Sequence, residues 1–145
     1  VVASYCGVGN PFTLGAISEG ERILDIGCGS GVDTIFAAKM TGPTGKVVGI
    51  DLMPKMILRA KENLTLANLD NVTYEEASAE RLSFPDKNFD VVISNGAFNL
   101  VPDKAKALSE VFRVLKPGGR LMIADQILTG ELTKERKQII KSWSQ

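Results

Sequence analysis

Short aliphatic runs separated by helix-like segments set the strongest limit on what this chain can fold into. Residues 22–26, 46–51, 89–94 and 120–125 are such runs, bounded by Gly, Pro or Asn. Continuous Val, Ile and Leu without polar alternation suits strands buried on both faces, the pattern of a parallel sheet. A weaker fifth run lies at 71–75. The intervening segments 32–40, 54–67 and 103–115 have helical character. Pro54 suits a first-turn position, where its missing N–H has no partner to lose, whereas Lys116–Gly119 (KPGG) can continue no helix and turns the chain. Parallel neighbours need crossover connections, and strands alternating with helices give right-handed ones. The expected architecture is therefore α/β, an open parallel sheet of about five strands with helices on both faces.

The chain of 145 residues fits one domain, 1–145, and its 44% hydrophobic content supplies a core. Seventeen basic residues balance seventeen acidic ones, so there is no overall positive field for a nucleic acid and none is expected as partner. No apolar run approaches the roughly 20 residues of a membrane span, and the start lacks a secretory pattern, so a cytoplasmic protein without membrane contact is expected. Cys6 and Cys28 are too few for a disulfide framework and match no zinc spacing; both are read as reduced thiols, and no metal site is expected. Histidine is absent, which removes the commonest general base.

Ligand chemistry is expected at the carboxyl ends of the strands, where open parallel sheets bind their ligands. Asp25 and Asp51 stand near the ends of the first two runs, and Asn95 follows the 89–94 run. Between the first strand and first helix lies Asp25–Gly31 (DIGCGSG). Gly27, Gly29 and Gly31 permit a tight turn and close approach of a ligand to the backbone, and the N–H groups opening the next helix favour an anionic group. The spacing G-x-G-x-G differs from the G-x-G-x-x-G of dinucleotide dehydrogenases, and no Gly-Lys-Ser/Thr follows, so a nicotinamide-dependent reductase and an ATP site both fit less well. Asp51, about 20 residues on, is placed to accept hydrogen bonds from two ribose hydroxyls. A nucleoside with free hydroxyls is implied.

With those residues in view, the Asp25–Gly31 segment resembles the first motif of class I S-adenosylmethionine-dependent methyltransferases. Gly49–Asp51, Ala77–Leu82 (ASAERL), Phe89–Asn95 and Leu115–Leu121 (LKPGGRL) are similar to the family's further motifs, in order, so that the likeness runs from about Glu19 to Asp125. It implies a Rossmann-like sheet of order 3-2-1-4-5, lacking the last two of the usual seven strands, and S-adenosylmethionine as cofactor. By the same resemblance, Asp25, Gly27, Cys28, Gly29 and Gly31 would surround the methionine portion, Asp51 would hold the ribose, and Leu52 and Met53 would flank the adenine. Ser78 and Ala79 take the place where many members set an acid and a backbone N–H against the adenine; serine there is a departure. A narrower likeness, through Gly9–Pro11 and the stretch 93–104 (ISNGAFNLVPDK), is to arsenite methyltransferases and the related methyltransferase domain 11 group. Arsenic-methylating members carry cysteines where this chain has Val8 and Gly96. Trivalent arsenic needs soft thiolate ligands, so the likeness implies a shared scaffold rather than a shared substrate.

The expected activity is in-line transfer of a methyl group to a small-molecule acceptor, with alignment and exclusion of water as the protein's main contributions. Tyr5, Cys6, Asn95 and Asn99 are the candidate acceptor-side residues, with Asn95 also beside the cofactor; no catalytic residue is assigned. Without histidine, the acceptor is a nucleophile needing little proton removal, such as a thiolate, an amine or an enolate-type carbon, or else a carboxylate serves as base. The competing reading is a methyltransferase-like module that binds the cofactor, or nothing, and acts through a partner. A fifth strand at the sheet's margin would be an exposed edge, open to pairing in a homodimer or to covering by a last helix at 133–143, with Trp143 on its apolar surface.

Overall fold

A computed structural model describes residues 5–127 and Gln138; the helix expected at 133–143 thus lies outside the described residues, save for Gln138, which is helical and exposed. Five parallel strands form one sheet in the order β3-β2-β1-β4-β5. They are β1 (Arg22–Ile26), β2 (Lys46–Asp51), β3 (Val72–Glu76), β4 (Phe89–Asn95) and β5 (Leu115–Ala124), with α1 (Val32–Thr41), α2 (Pro54–Ala67) and α3 (Lys104–Val114) between them. The expected architecture and order hold, and the strand order reverses beside β1, between β2 and β4.

Alternation along each strand divides the core in two. Ile23, Val47, Val91, Ile93 and Met122 face α1 and α2 and pack with Ala37, Ala38, Ile57 and Ala60. Leu24, Ile26, Val48, Ile50 and Val92 face the other way, against Ala107, Val111 and Val114 of α3. Both faces of the central strands are buried, which is why those strands read as unbroken aliphatic runs.

Helix ends follow local chemistry. Asp103 caps α3 by accepting the Lys106 N–H at 2.9 Å. Helix α2 starts with Pro54 and stops at Asn68, which adopts the left-handed conformation common after a helix. The β3–β4 connection carries no helix and is stapled to α3 by Arg113, which donates to the Leu82 and Phe84 carbonyls and pairs with Glu110 and Asp86, and by Glu110, which accepts the Leu82 N–H at 2.7 Å.

The fifth strand corrects the sequence expectation. It begins at Leu115, not at residue 120, because Leu115 pairs opposite Phe89 before the ladder resumes with Arg120 opposite Val91. Residues 116–119 therefore bulge against the single residue Asp90, with Gly118 at φ 78° and Lys116 Nζ bound to both Asp90 carboxylate oxygens at 2.9 and 3.0 Å. The KPGG segment does turn the chain, but inside a strand.

Candidate functional site

At the carboxyl ends of β1 and β2 the backbone builds a cradle. After β1 the Gly27 and Cys28 N–H groups both donate to the Ile50 carbonyl, at 2.8 and 2.9 Å, which ties the turn to β2. Gly27, Gly29 and Gly31 all have positive φ, at 70°, 52° and 80°. Two of them also lack room: a Cβ on Gly27 would sit 2.2 Å from Ala97 Cβ, and one on Gly31 would sit 2.2 Å from the Tyr74 hydroxyl. Gly29 differs, since nothing lies within 4 Å of where its Cβ would be. Its outer side is open.

Asp51, at the end of β2, faces that opening. One carboxylate oxygen accepts the Gly29 N–H at 2.9 Å and the other accepts the Met53 N–H at 2.9 Å. These bonds fix the carboxylate plane beside the turn while leaving lone pairs for further donors. Leu52 and Met53 follow, both exposed large apolar side chains at the rim. Helix α1 opens behind the turn with Gly31 as N-cap; the Thr34 N–H of its first turn is taken by Asp25, and no N-cap side chain covers the N–H groups ahead of it, which suit a carboxylate.

Asp25 lies elsewhere than at the rim. It is buried beneath the turn and accepts a hydrogen bond from the Thr34 hydroxyl at 2.6 Å. Burial pushes its pKa up to about 7, against the Thr34 hydrogen bond and with the nearby Asp33 and Asp51 carboxylates adding to the rise. Burial likewise raises the Cys28 thiol far above its ordinary range, so Cys28 stays a neutral thiol packed into the α1/α2 core.

Asn95, at the end of β4, is the hub of an amino-terminal roof. Its carbonyl oxygen accepts the Val8 and Gly9 N–H groups at 2.8 and 3.1 Å. Its amide nitrogen stands within hydrogen-bond distance of the Tyr5 hydroxyl (2.6 Å), the Gly9 carbonyl (2.8 Å) and Asp33 Oδ2 on α1 (2.8 Å). Tyr5 in turn donates to the Gly9 carbonyl at 2.8 Å. Residues 5–10 are thereby folded over the strand ends, and the Asn95 side chain is committed to the chain itself. Asn95→Ala should speed hydrogen exchange at the Val8 and Gly9 amides by tenfold or more, about 1.4 kcal/mol, and lower the melting temperature by a few degrees. Unchanged protection would mean that the roof is held by other contacts.

The remaining candidates divide. Cys6 is exposed on the roof segment. Asn99 is tied away from the cradle, its backbone N–H bound to Asp125 at 2.9 Å and its side-chain amide to the Gln126 carbonyl. Ser78 accepts the Glu80 N–H at 3.2 Å, and Ala79 is buried in the α3-side core. Val8 and Gly96 are neighbours: a Cβ on Gly96 would lie 3.3 Å from the Val8 side chain, so roof and β4 loop meet at an apolar contact without a thiol.

Three residues of the site's framework escaped sequence reasoning: Asp33, Thr34 and Tyr74. Tyr74 fills the space beneath both glycine-bearing segments, its ring 2.7 Å from where a Gly49 Cβ would be and its hydroxyl donating to the Gly31 carbonyl at 3.2 Å. A glycine inside a buried strand signals close approach by another group, and Gly49 carried that signal.

An open glycine-lined turn, an uncapped helix start and a fixed acceptor carboxylate suit a nucleoside that also bears an amino acid. The comparisons agree. A family model described as "Methyltransferase domain" matches residues 17–145. An arsenite methyltransferase of Halobacterium salinarum is 41% identical over 123 residues, covering 85% of this chain and 32% of the relative. A ubiquinone/menaquinone biosynthesis C-methyltransferase of Pasteurella multocida is 41% identical over 110 residues, covering 75% and 41%. Among solved structures, a Haemonchus contortus phosphoethanolamine N-methyltransferase in complex with S-adenosylhomocysteine and phosphomonomethylethanolamine superposes with TM-score 0.82 at 30% identity, covering 91% of this chain and 31% of that one. The chain thus spans about a third to two fifths of these relatives' length. Fold, cradle and relatives lead to one assignment: the chain belongs to the methyltransferase domain family, whose cofactor is S-adenosylmethionine.

Proposed function

We propose that this domain transfers the methyl group of S-adenosylmethionine to a small organic acceptor, with Asp51 and the turn Gly27–Gly31 as its cofactor cradle. The observation that carries the reading is the open side of Gly29 next to a carboxylate already held in place by two backbone N–H groups. Asp51 would accept the ribose hydroxyls, Leu52 and Met53 would cover the adenine with Ser78 and Ala79 at its edge, and the uncapped start of α1 would receive the methionine carboxylate.

When bound, the cofactor supplies an electrophilic methyl carbon on a cationic sulfur. The protein's own residues hold and shield: the turn fixes the donor's position, and the roof formed by residues 5–10, pinned by Asn95, limits water from above. Tyr5 and Cys6 on that roof would border the acceptor, while Asn99 would act only by bracing the loop after β4. A cytoplasmic setting, in which cysteines stay reduced, is part of this reading.

The apolar Val8–Gly96 contact favours an organic nucleophile over a metalloid, since neither position offers a soft ligand. Calorimetric titration with S-adenosylmethionine and S-adenosylhomocysteine tests the cradle: both should bind, and heat from neither would end the reading. A screen of thiols, amines, quinol precursors and arsenite, scored by S-adenosylhomocysteine release, tests the acceptor. Turnover is expected with an organic class, and efficient turnover of arsenite would overturn that part.

A further inference from the structure

Asp33, in the first turn of α1, is a half-buried carboxylate without a counter-charge. Its Oδ2 accepts from the Asn95 amide at 2.8 Å, and no hydrogen bond among the described residues reaches its Oδ1. The ion pairs among the described residues use Arg113, Lys116 and Arg120, none of which joins Asp33. Burial raises its pKa, and only the Asn95 hydrogen bond acts against that rise. The same amide nitrogen lies 2.6 Å from the Tyr5 hydroxyl, so one side chain joins the acid to the roof. That nitrogen carries two hydrogens for three acceptors, Asp33 Oδ2, the Tyr5 hydroxyl and the Gly9 carbonyl, which leaves Asp33 short of donors. The acid thus has capacity for a cationic donor, next to the roof residue that would border the acceptor.

A fixed negative charge there separates the acceptor classes by sign. A thiol or a carbon acid must lose a proton before it attacks, and a neighbouring carboxylate opposes that ionisation. An amine attacks in its neutral form and gains positive charge as it does so. Its nitrogen lone pair forms the C–N bond, the C–S bond breaks with its electron pair going to sulfur, and the positive charge passes from sulfur to nitrogen. A carboxylate held beside the nitrogen stabilises that charge as it develops. The methylated ammonium then gives a proton to solvent. Resting on the cofactor reading above, we infer that Asp33 is the counter-charge on the acceptor side and that the acceptor is a primary or secondary amine. Asn95 holds the carboxylate in place, and Tyr5, its hydroxyl tied to the Gly9 carbonyl, offers its ring to the same cation.

The test begins with calorimetric titration of S-adenosylmethionine and S-adenosylhomocysteine. It then scores S-adenosylhomocysteine release with ethanolamine, benzylamine and tyramine against mercaptoethanol, benzyl mercaptan and acetylacetone. Amines should be turned over and preferred. Asp33→Asn keeps an acceptor for the Asn95 amide but removes the charge, and should lower amine kcat/KM about 30-fold while shifting the remaining preference toward thiols. Donor and product affinities, and hydrogen exchange at the Val8 and Gly9 amides, should stay within about threefold, because cradle and roof keep their own contacts. Asp33→Glu restores the charge and should recover much of the amine rate, which a merely structural role for Asp33 would not produce. Asp33→Ser, neutral and tolerated in a first helical turn, carries the test if Asp33→Asn folds poorly. Preference for thiols or acetylacetone, turnover of none of these compounds by a protein that binds the donor, or an amine kcat/KM that loss of the charge leaves unchanged overturns the inference alone. So does a loss confined to donor and product affinity, which would assign Asp33 to the cofactor's own ammonium. Heat from neither ligand overturns it together with the cofactor reading.

Discussion

A Gly27→Ala protein is expected to lose about 2–5 kcal/mol of stability and, with it, most of its cofactor affinity. The backbone at Gly27 has φ 70°, where an L side chain costs about 1–2 kcal/mol. The added Cβ would also lie 2.2 Å from Ala97 Cβ and 3.6 Å from Ala97 Cα. Two Cβ atoms have no rotamer through which to escape, so either the turn or the loop after β4 must move, at about 1–3 kcal/mol more. Gly29→Ala supplies the contrast. Its φ of 52° is also strained, but the added methyl meets no atom within 4 Å. That variant should lose only about 1–2 kcal/mol of stability while obstructing the ligand's space, so affinity falls further than the melting temperature suggests. Urea unfolding and titration calorimetry on both proteins check this, and equal losses of stability would refute the packing argument at Ala97.

Asp51→Ala should weaken S-adenosylmethionine binding at least about 100-fold, about 3 kcal/mol, by removing the charged acceptor proposed for the two ribose hydroxyls. Stability should change far less. The two N–H groups that Asp51 accepts, from Gly29 and Met53, sit at half-buried and exposed residues where water can replace the carboxylate. Circular dichroism and calorimetry together separate the two effects. Affinity equal to that of the wild type would mean that the ribose is held elsewhere.

The fold was legible because burial writes itself into the central strands: β1 and β2 lie where their aliphatic runs stop, and Pro54 starts α2. The fifth strand was less so. A Pro-Gly-Gly sequence marks a turn whether the chain leaves the sheet or bulges within it, and only the partner Asp90, in a different strand, decides which. The cradle was equally mixed. Glycine positions and Asp51 follow from local order along the chain, but the burial of Asp25 depends on Thr34, nine residues later, and on Tyr74 in β3. Asn95 looked like a ligand residue at a strand end. Its hydrogen-bonding partners are four residues, Tyr5, Val8, Gly9 and Asp33, pairings that no local pattern encodes.

The ion pairs have a common address. Arg120 with Glu21, Lys116 with Asp90, and Arg113 with Asp86 and Glu110 cluster around the amino-terminal ends of β1 and β4 and the close of α3. Among the described residues the base is thus clamped by opposite charges, while neutral hydrogen bonds and acids of one sign predominate at the mouth. Raising ionic strength should loosen the base and spare the mouth. Loops at the mouth can accordingly be exchanged for other loops, and the chemistry redirected, without disturbing what keeps the strands aligned.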